Sequence, residues 1–238
     1  MMIANPTIAC YDSHARAYDS YQLAIVPGYR EMLELTADAA KRYLPTNAKI
    51  LDLGCGSGNA SSCILAKMPS ARIFLLDGSE KMVTIAAEKI AMSKPRTILG
   101  RNVADLAKES WAEGLPRNEF DCIVSTLVLE HLPFEPYKTT IKECYMLLKP
   151  GGWLFASEGY TETGSDMQEW FFQEMEARRM ALDPDLSDFV AHLRSEKEIH
   201  HYTAKATKAG WWRDAGFCRV NVLWQYLCLA LMVGQKDL

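Results

Sequence analysis

An excess of positive charge is what this 238-residue sequence most plainly lacks: 26 Lys and Arg stand against 30 Asp and Glu, for a formal net charge of -4. Such a balance carries no global positive field for a polyanion, and no basic strip stands out, so nucleic acid is disfavoured as a partner. Long apolar runs are missing as well. The stretch Tyr226 to Val233 falls far short of the ~20 residues that span a bilayer, and Met1 to Cys10 lacks the basic segment and apolar run of a secretory signal. The expectation is a soluble, cytoplasmic chain with no membrane partner. Seven cysteines are scattered, odd in number and contain no C-x-x-C pair, which argues against a disulfide framework and for a reducing compartment. His200 and His201 have no third ligand at metal spacing, so no metal is expected. Repeats and low-complexity tracts are absent.

What is present is enough apolar material, 49% of positions, for one domain over 1–238. Two helical patterns come first, Tyr11, His14, Ala15 and Tyr18, then Tyr29, Met32, Leu33, Thr36, Ala40 and Tyr43, separated by Pro27 and Gly28. They predict a helical arm over 1–45. Short apolar runs then alternate with helical stretches, the pattern of a parallel sheet with crossover helices and hence of an α/β fold. Strands are predicted at Lys49–Leu53, Arg72–Leu76, Thr97–Leu99, Phe120–Ser125 and Trp153–Ser157. Val220–Trp224 and Leu229–Gln235 supply a terminal pair, for seven in all. Ser79 is a predicted helix N-cap, and the helix before the fifth strand should stop at Lys149, ahead of Pro150, Gly151 and Gly152. A helical insertion over 159–210, with Met167, Trp170, Phe171 and Met175 at helical spacing, is a candidate lid.

The segment Ile50-Leu51-Asp52-Leu53-Gly54-Cys55-Gly56-Ser57-Gly58 is a buried strand running into a glycine turn and then a helix. The next strand ends in Asp77, 19 residues beyond Gly58, where a carboxylate can accept bonds from both ribose hydroxyls. Asn59 stands where the dinucleotide fingerprint has its last, sixth-position glycine, so an adenosine without a pyrophosphate fits better.

These residues resemble the class I methyltransferases that use S-adenosylmethionine, whose first motif has the form L-D-L-G-x-G-x-G, and the resemblance covers about Lys49 to Ser157. It implies a Rossmann-like, mostly parallel seven-stranded sheet and S-adenosylmethionine as cofactor. Gly54, Cys55 and Gly56 would line its methionine side, Asp77 with Gly78 its ribose, and Met82 its adenine. Asp105 and Leu106 match the adenine-edge contact, and Ser125 and Thr126 would border the sulfonium. Val26-Pro27-Gly28-Tyr29, Ser157-Glu158, the lid and Trp224-Gln225-Tyr226 look like the carboxy-S-adenosylmethionine synthase branch. That likeness places Tyr29 at the methionine end, with Tyr18 also among the cofactor contacts, and Arg194 near a lid arginine that binds a carboxylate, with Arg178 and Arg179 also available for that contact. The regular Gly-Cys-Gly-Ser-Gly turn and Glu130-His131-Leu132 are closer to ordinary methyltransferases.

Methyl transfer from a sulfonium is mainly a matter of alignment and exclusion of water. A hydroxyl or protonated amine acceptor would want a general base. His131, Glu158 and His14 are the candidates, His131 first, with Tyr29 also at the reacting end. Tyr11, His14, Tyr160 and Arg194 are the candidate substrate contacts, and the aromatics near the opening suggest a small-molecule substrate. The leading reading is methyl transfer to such a molecule. Two others stay open: transformation of S-adenosylmethionine itself, by carboxylation of its methyl or by cyclisation with loss of methylthioadenosine, and a binding protein without turnover. A lid completed by a second copy would make the chain a homodimer.

Overall fold

The computed structural model describes residues 7–9, 12, 15, 18–94, 96–161, 166–181 and 200–238. Seven strands form one sheet in the order β3-β2-β1-β4-β5-β7-β6: β1 Lys49–Leu53, β2 Arg72–Asp77, β3 Ile98–Val103, β4 Phe120–Thr126, β5 Leu148–Gly159, β6 Cys218–Tyr226 and β7 Leu229–Gln235. The first five strands run parallel. β7 lies antiparallel between β5 and β6, as the predicted terminal pair requires, and the expected α/β architecture is the one observed.

Burial explains the order. β1 is buried at every position but Lys49, and β7 at every position but Gln235, as central strands covered on both faces must be. β3 and β6 alternate or face outward and close the two edges. β3 runs to Val103, beyond the predicted Leu99, because an edge strand carrying Gly100, Arg101 and Asn102 shows no apolar run to read. Gly100 is needed there: a Cβ would stand 2.6 Å from the Phe74 ring. The helix before β5 ends at Leu147 rather than Lys149, since Leu148 already pairs with Phe120 across a register shift.

The helices flank the sheet: α1 Tyr18–Ile25, α2 Tyr29–Tyr43, α3 Asn59–Lys67, α4 Glu80–Ser93, α5 Phe134–Leu147, α6 Met167–Met180 and α7 Lys205–Asp214. In α2 the predicted stripe Tyr29, Met32, Leu33, Thr36 and Ala40 is buried. Tyr43 is half exposed, its ring stacked 4.8 Å from that of Trp153. Ser79 caps α4 as predicted, its Oγ accepting from the Met82 N–H at 3.1 Å. α7 begins inside the span expected for the lid, yet it packs on α5 and β6 with Trp212 fully buried. Within 159–210, α6 is the described helix outside the sheet layers, and it packs on α1 of the arm.

β1 connects outward to β2 and β3 on one side, whereas the chain returns to β4 and β5 on the other. The carboxyl ends of β1 and β4 therefore flank a topological switch point, where open α/β sheets leave a crevice.

Candidate active site

The crevice at the switch point is a half-open cleft, and such a concave site at the switch point of an α/β sheet is where small molecules bind. Its floor is the turn after β1. The Gly54 and Cys55 N–H groups both donate to the Leu76 carbonyl, at 2.7 and 2.9 Å, which hangs the turn on the end of β2. Gly54, Gly56 and Gly58 all have positive φ, at 72°, 49° and 82°, a region that costs other residues strain. At Gly54 a Cβ would also lie 2.5 Å from Val128 Cγ1.

Asp77 closes β2 beside that turn. One oxygen accepts from the Gly56 N–H at 2.8 Å and the other from the Ser79 N–H at 2.9 Å. Burial pushes its carboxyl above the usual range, and the hydrogen bonds from Ser79, Gly56 and Gly78 pull it back. With about four acceptor sites on its two oxygens, and N–H donors from Ser79, Gly56 and Gly78 already bound, the carboxylate keeps acceptor capacity for an outside donor such as a hydroxyl. Deeper in β1, Asp52 is fully buried, accepts from Ser61 Oγ, and is pushed up to about 6 by desolvation, with the nearby Asp77 charge adding to it.

The cleft wall brings together eight of the predicted residues: Tyr18, Gly54, Gly56, Asp77, Gly78, Met82, Leu106 and His131. Asp105 stands beside this wall, one oxygen accepting from the Ala107 N–H at 3.0 Å, while its neighbours Ala104 and Leu106 line the cleft. Ser125 donates to the Leu53 carbonyl at 2.9 Å. Thr126 Oγ1 is buried without a hydrogen-bond partner among the described residues, one position before the wall residue Leu127. Cys55 is buried, and burial raises its thiol.

Other predicted residues lie elsewhere. Tyr29 is buried between the arm and α3, its hydroxyl accepting from Asn59 Nδ2 at 3.2 Å, and it does not line the cleft. Glu158, expected to face the pocket, is fully buried in a closed polar cluster. It accepts from Tyr137 at 2.8 Å and from Tyr160 at 3.2 Å, and it pairs with Lys208. Tyr160 therefore points into that cluster rather than toward a substrate. Burying Glu158 demands such a set of donors, which short-range sequence spacing does not reveal. Tyr11, His14 and Arg194 lie outside the described residues.

Thr7, Ile8, Leu127, Val128 and Leu132 also line the cleft and were not among the expected residues. Leu127 carries a φ of 55°, a turn with no glycine to announce it. The arm reaches the cleft because it is anchored beside it. Asp12 accepts from Ser79 Oγ at 2.7 Å and pairs with Lys81 at 2.9 Å. Asp19 holds Ser57, Asn59 and Lys89. Ile8 rests over Gly78 and Tyr18 over Gly56.

Comparison with known proteins agrees with this geometry. A profile of a methyltransferase domain matches residues 50–152. The carboxy-S-adenosyl-L-methionine synthase of Shewanella denitrificans is 30% identical over 220 residues, 89% of this chain and 85% of that enzyme. Its Shewanella amazonensis counterpart is 30% identical over 60% of this chain, and the alignment spans 57% of that enzyme's length. A malonyl-[acyl-carrier protein] O-methyltransferase of Priestia megaterium is 28% identical over 62% of this chain and 48% of its own. An O-methyltransferase family protein from Burkholderia thailandensis superposes with a TM-score of 0.67 at 19% identity, covering 95% of this chain and 61% of that one; the likeness there is of fold. The chain belongs to the class I S-adenosylmethionine-dependent methyltransferase family. It is a transferase whose cofactor is S-adenosylmethionine, and its relatives include the carboxy-S-adenosylmethionine synthases. The residues present fit that cofactor: a glycine floor that a Cβ would fill, and a buried carboxylate with acceptor capacity beside it.

Proposed function

We propose that the enzyme transfers a methyl group from S-adenosylmethionine to a small-molecule acceptor that enters beside His131. The observation that carries this reading is the composition of the cleft wall past the glycine turn. Leu127, Val128 and Leu132 are apolar and His131 stands among them, a dry surface with one group able to take a proton.

When bound, the cofactor supplies a methyl carbon on positively charged sulfur, already electrophilic. Asp77 would accept the ribose hydroxyls, and Met82 and Leu106 would give the adenine an apolar seat. The glycine turn lets the backbone approach the methionine end without a side chain between. Thr126 Oγ1, buried at the end of β4 without a hydrogen-bond partner among the described residues, would border the sulfonium. His131 would hold the proton that a hydroxyl acceptor loses. Thr7, Ile8 and Tyr18 cover the site and keep water from competing with the acceptor.

A second reading, chemistry on the cofactor itself, draws its support from the carboxy-S-adenosylmethionine synthases among the relatives. One experiment separates the two. Purified protein is incubated with S-adenosylmethionine alone and then with pooled cell metabolites, and adenosine-containing products are followed by mass spectrometry. S-adenosylhomocysteine formed only with metabolites, together with a product heavier by one methylene, is the expected result. Methylthioadenosine, or a carboxylated cofactor, would refute methyl transfer. No helix of the described residues is long and apolar enough to cross a membrane. We read the chain as one cytoplasmic domain with an arm and a lid; light scattering reports whether two copies associate.

A further inference from the structure

We propose that the side-chain carbonyl of Gln22 receives the α-ammonium of the cofactor's methionine end, so that the arm helix α1 decides which adenosine compounds the enzyme retains. The inference rests on S-adenosylmethionine as cofactor and is independent of the acceptor. Gln22 is 5% exposed, and its Oε1 is buried without a hydrogen-bond partner. Folded chains pair nearly all such groups, because an unpaired buried carbonyl is destabilising. A group that only a ligand completes is the reason we assign to this one.

Its place on α1 indicates which part of the ligand it meets. Side chains four residues apart on a helix share a face. One turn before Gln22, Tyr18 lines the cleft and lies over Gly56, where a Cβ would meet its Cε1 at 3.5 Å. One turn after it, the Val26 N–H donates to the Gln22 backbone carbonyl at 3.2 Å, so the helical spacing holds to that residue. Val26 is buried in a cluster with Ala60 of α3, against which Leu127 of the cleft wall packs. Beside this strip Asp19 holds Ser57 and Asn59. Gln22 therefore stands between two contacts with the cleft wall, on the arm face turned toward the glycine turn and the start of α3. Thr126, whose buried Oγ1 is also unpaired, directly precedes Leu127.

The charges around the turn select a cation. Burial first, and then the Asp52 and Asp77 charges, raise the Cys55 thiol. Burial first, and then the Asp19 and Asp52 charges, raise the Tyr29 hydroxyl. Lys89 pairs with Asp19 and offsets one of these three carboxylates. A ligand carboxylate brought here would meet like charge, whereas an ammonium meets the opposite one. The sulfonium is also positive but has no hydrogen to donate. Only the ammonium offers both the charge and the N–H groups that an unpaired carbonyl lacks.

The consequence is discrimination among adenosine compounds. S-adenosylmethionine and S-adenosylhomocysteine carry the ammonium, and methylthioadenosine does not. Asp77, Met82 and Leu106 would serve all three alike. Gln22 would tell them apart.

Calorimetry on the full chain tests this with S-adenosylhomocysteine, its analogue with hydrogen in place of the amino group, and methylthioadenosine. Gln22→Met keeps the length of the side chain and removes both polar atoms; Gln22→Leu serves if the Met variant fails to fold. The expected result is a loss of about tenfold or more for S-adenosylhomocysteine, the scale of one hydrogen bond to a charged group, and of under about twofold for the other two ligands. An equal loss for all three would mean that Gln22 only packs the arm, and no loss would mean that solvent alone meets its amide; either overturns the proposal. A loss kept by the analogue without the amino group, and absent for methylthioadenosine, would point to the ligand's carboxylate and overturn it as well. Asp77→Ala is the reference, since Asp77 would meet the ribose common to all three. If Asp77→Ala binds every ligand as the wild type does, the assignment of the cleft to the cofactor falls and Gln22 with it. A weakened Asp77→Ala beside an unselective Gln22→Met would sink the role of Gln22 alone.

Discussion

Replacing Lys208 by Met should destabilise the protein by ~4 kcal/mol at pH 7.5 and by only ~1 kcal/mol at pH 5. Lys208 and Glu158 are 1% and 0% exposed. Without the ammonium, the carboxylate keeps the Tyr137 and Tyr160 hydroxyls at 2.8 and 3.2 Å, and no cation. Breaking a buried pair in this way costs ~3–5 kcal/mol. An upper bound follows independently, because the orphaned carboxylate can always take a proton from solution. With a solution pKa of ~4.3, that costs ~4.4 kcal/mol at pH 7.5 and ~1 kcal/mol at pH 5. The two routes to the figure agree at neutral pH, and only the second depends on pH. Urea unfolding followed by tryptophan fluorescence at both pH values measures it. The double variant Lys208→Met/Glu158→Gln should recover most of the loss, since it removes the orphaned charge. A loss below ~1 kcal/mol at pH 7.5, or one equal at both pH values, would refute the reasoning.

Three further outcomes are expected. Glu130 is pushed from an ordinary 4.5 to about 8, so the folded state holds a proton that the unfolded chain has lost. Stability should fall as pH rises from 4.5 through 8, and Glu130→Gln should flatten that slope in denaturant midpoints read across the range. Asp77→Ala removes the acceptor beside the glycine turn and should weaken S-adenosylhomocysteine binding by at least ~1 kcal/mol, about fivefold; equal affinity by calorimetry would contradict the site. Gly54→Ala puts a methyl group 2.5 Å from Val128 Cγ1 at a φ of 72° and should cost ~1–3 kcal/mol. Adding Val128→Ala removes the two nearest carbons but leaves the Cβ of residue 128 at 2.9 Å and the backbone strain in place, so thermal melts of the double variant should show partial recovery.

The sheet was legible where strands are buried on both faces. β1 and β7 are runs of apolar residues bounded by turns, and their limits coincide with the pattern. It failed at edges and turns, where polarity hides a strand, as at Arg101 and Asn102 of β3. The cofactor end was legible because its function is carried by residue types with few other reasons to stand there, glycines at positive φ and an acid closing a strand. The acceptor end was not. Glu158 and Tyr160 sit two residues apart at the carboxyl end of β5, yet the partners Tyr137 and Lys208 lie 21 and 50 residues from Glu158. Whether a carboxylate faces a cleft or a cation across such a distance is decided by packing. The same holds for His131 and His200, distant in the sequence, whose ring centroids lie 4.5 Å apart in the fold.

The anchoring of the arm has a thermodynamic consequence. Ser79 and Ser57 belong to the loops that shape the cleft, and they also bond Asp12 and Asp19 of the arm. Docking of Asp12 and Asp19 and filling of the cleft therefore draw on the same loop geometry. By reciprocity, whatever fraction of binding energy a ligand contributes to holding the arm down, the docked arm returns to the ligand as affinity. The tightness of the site is thus not a property of the glycine turn and Asp77 alone. Part of it should then depend on Lys81 and Lys89, two ammonium groups on α4 outside the cleft lining, and that part should weaken as salt screens their ion pairs with Asp12 and Asp19.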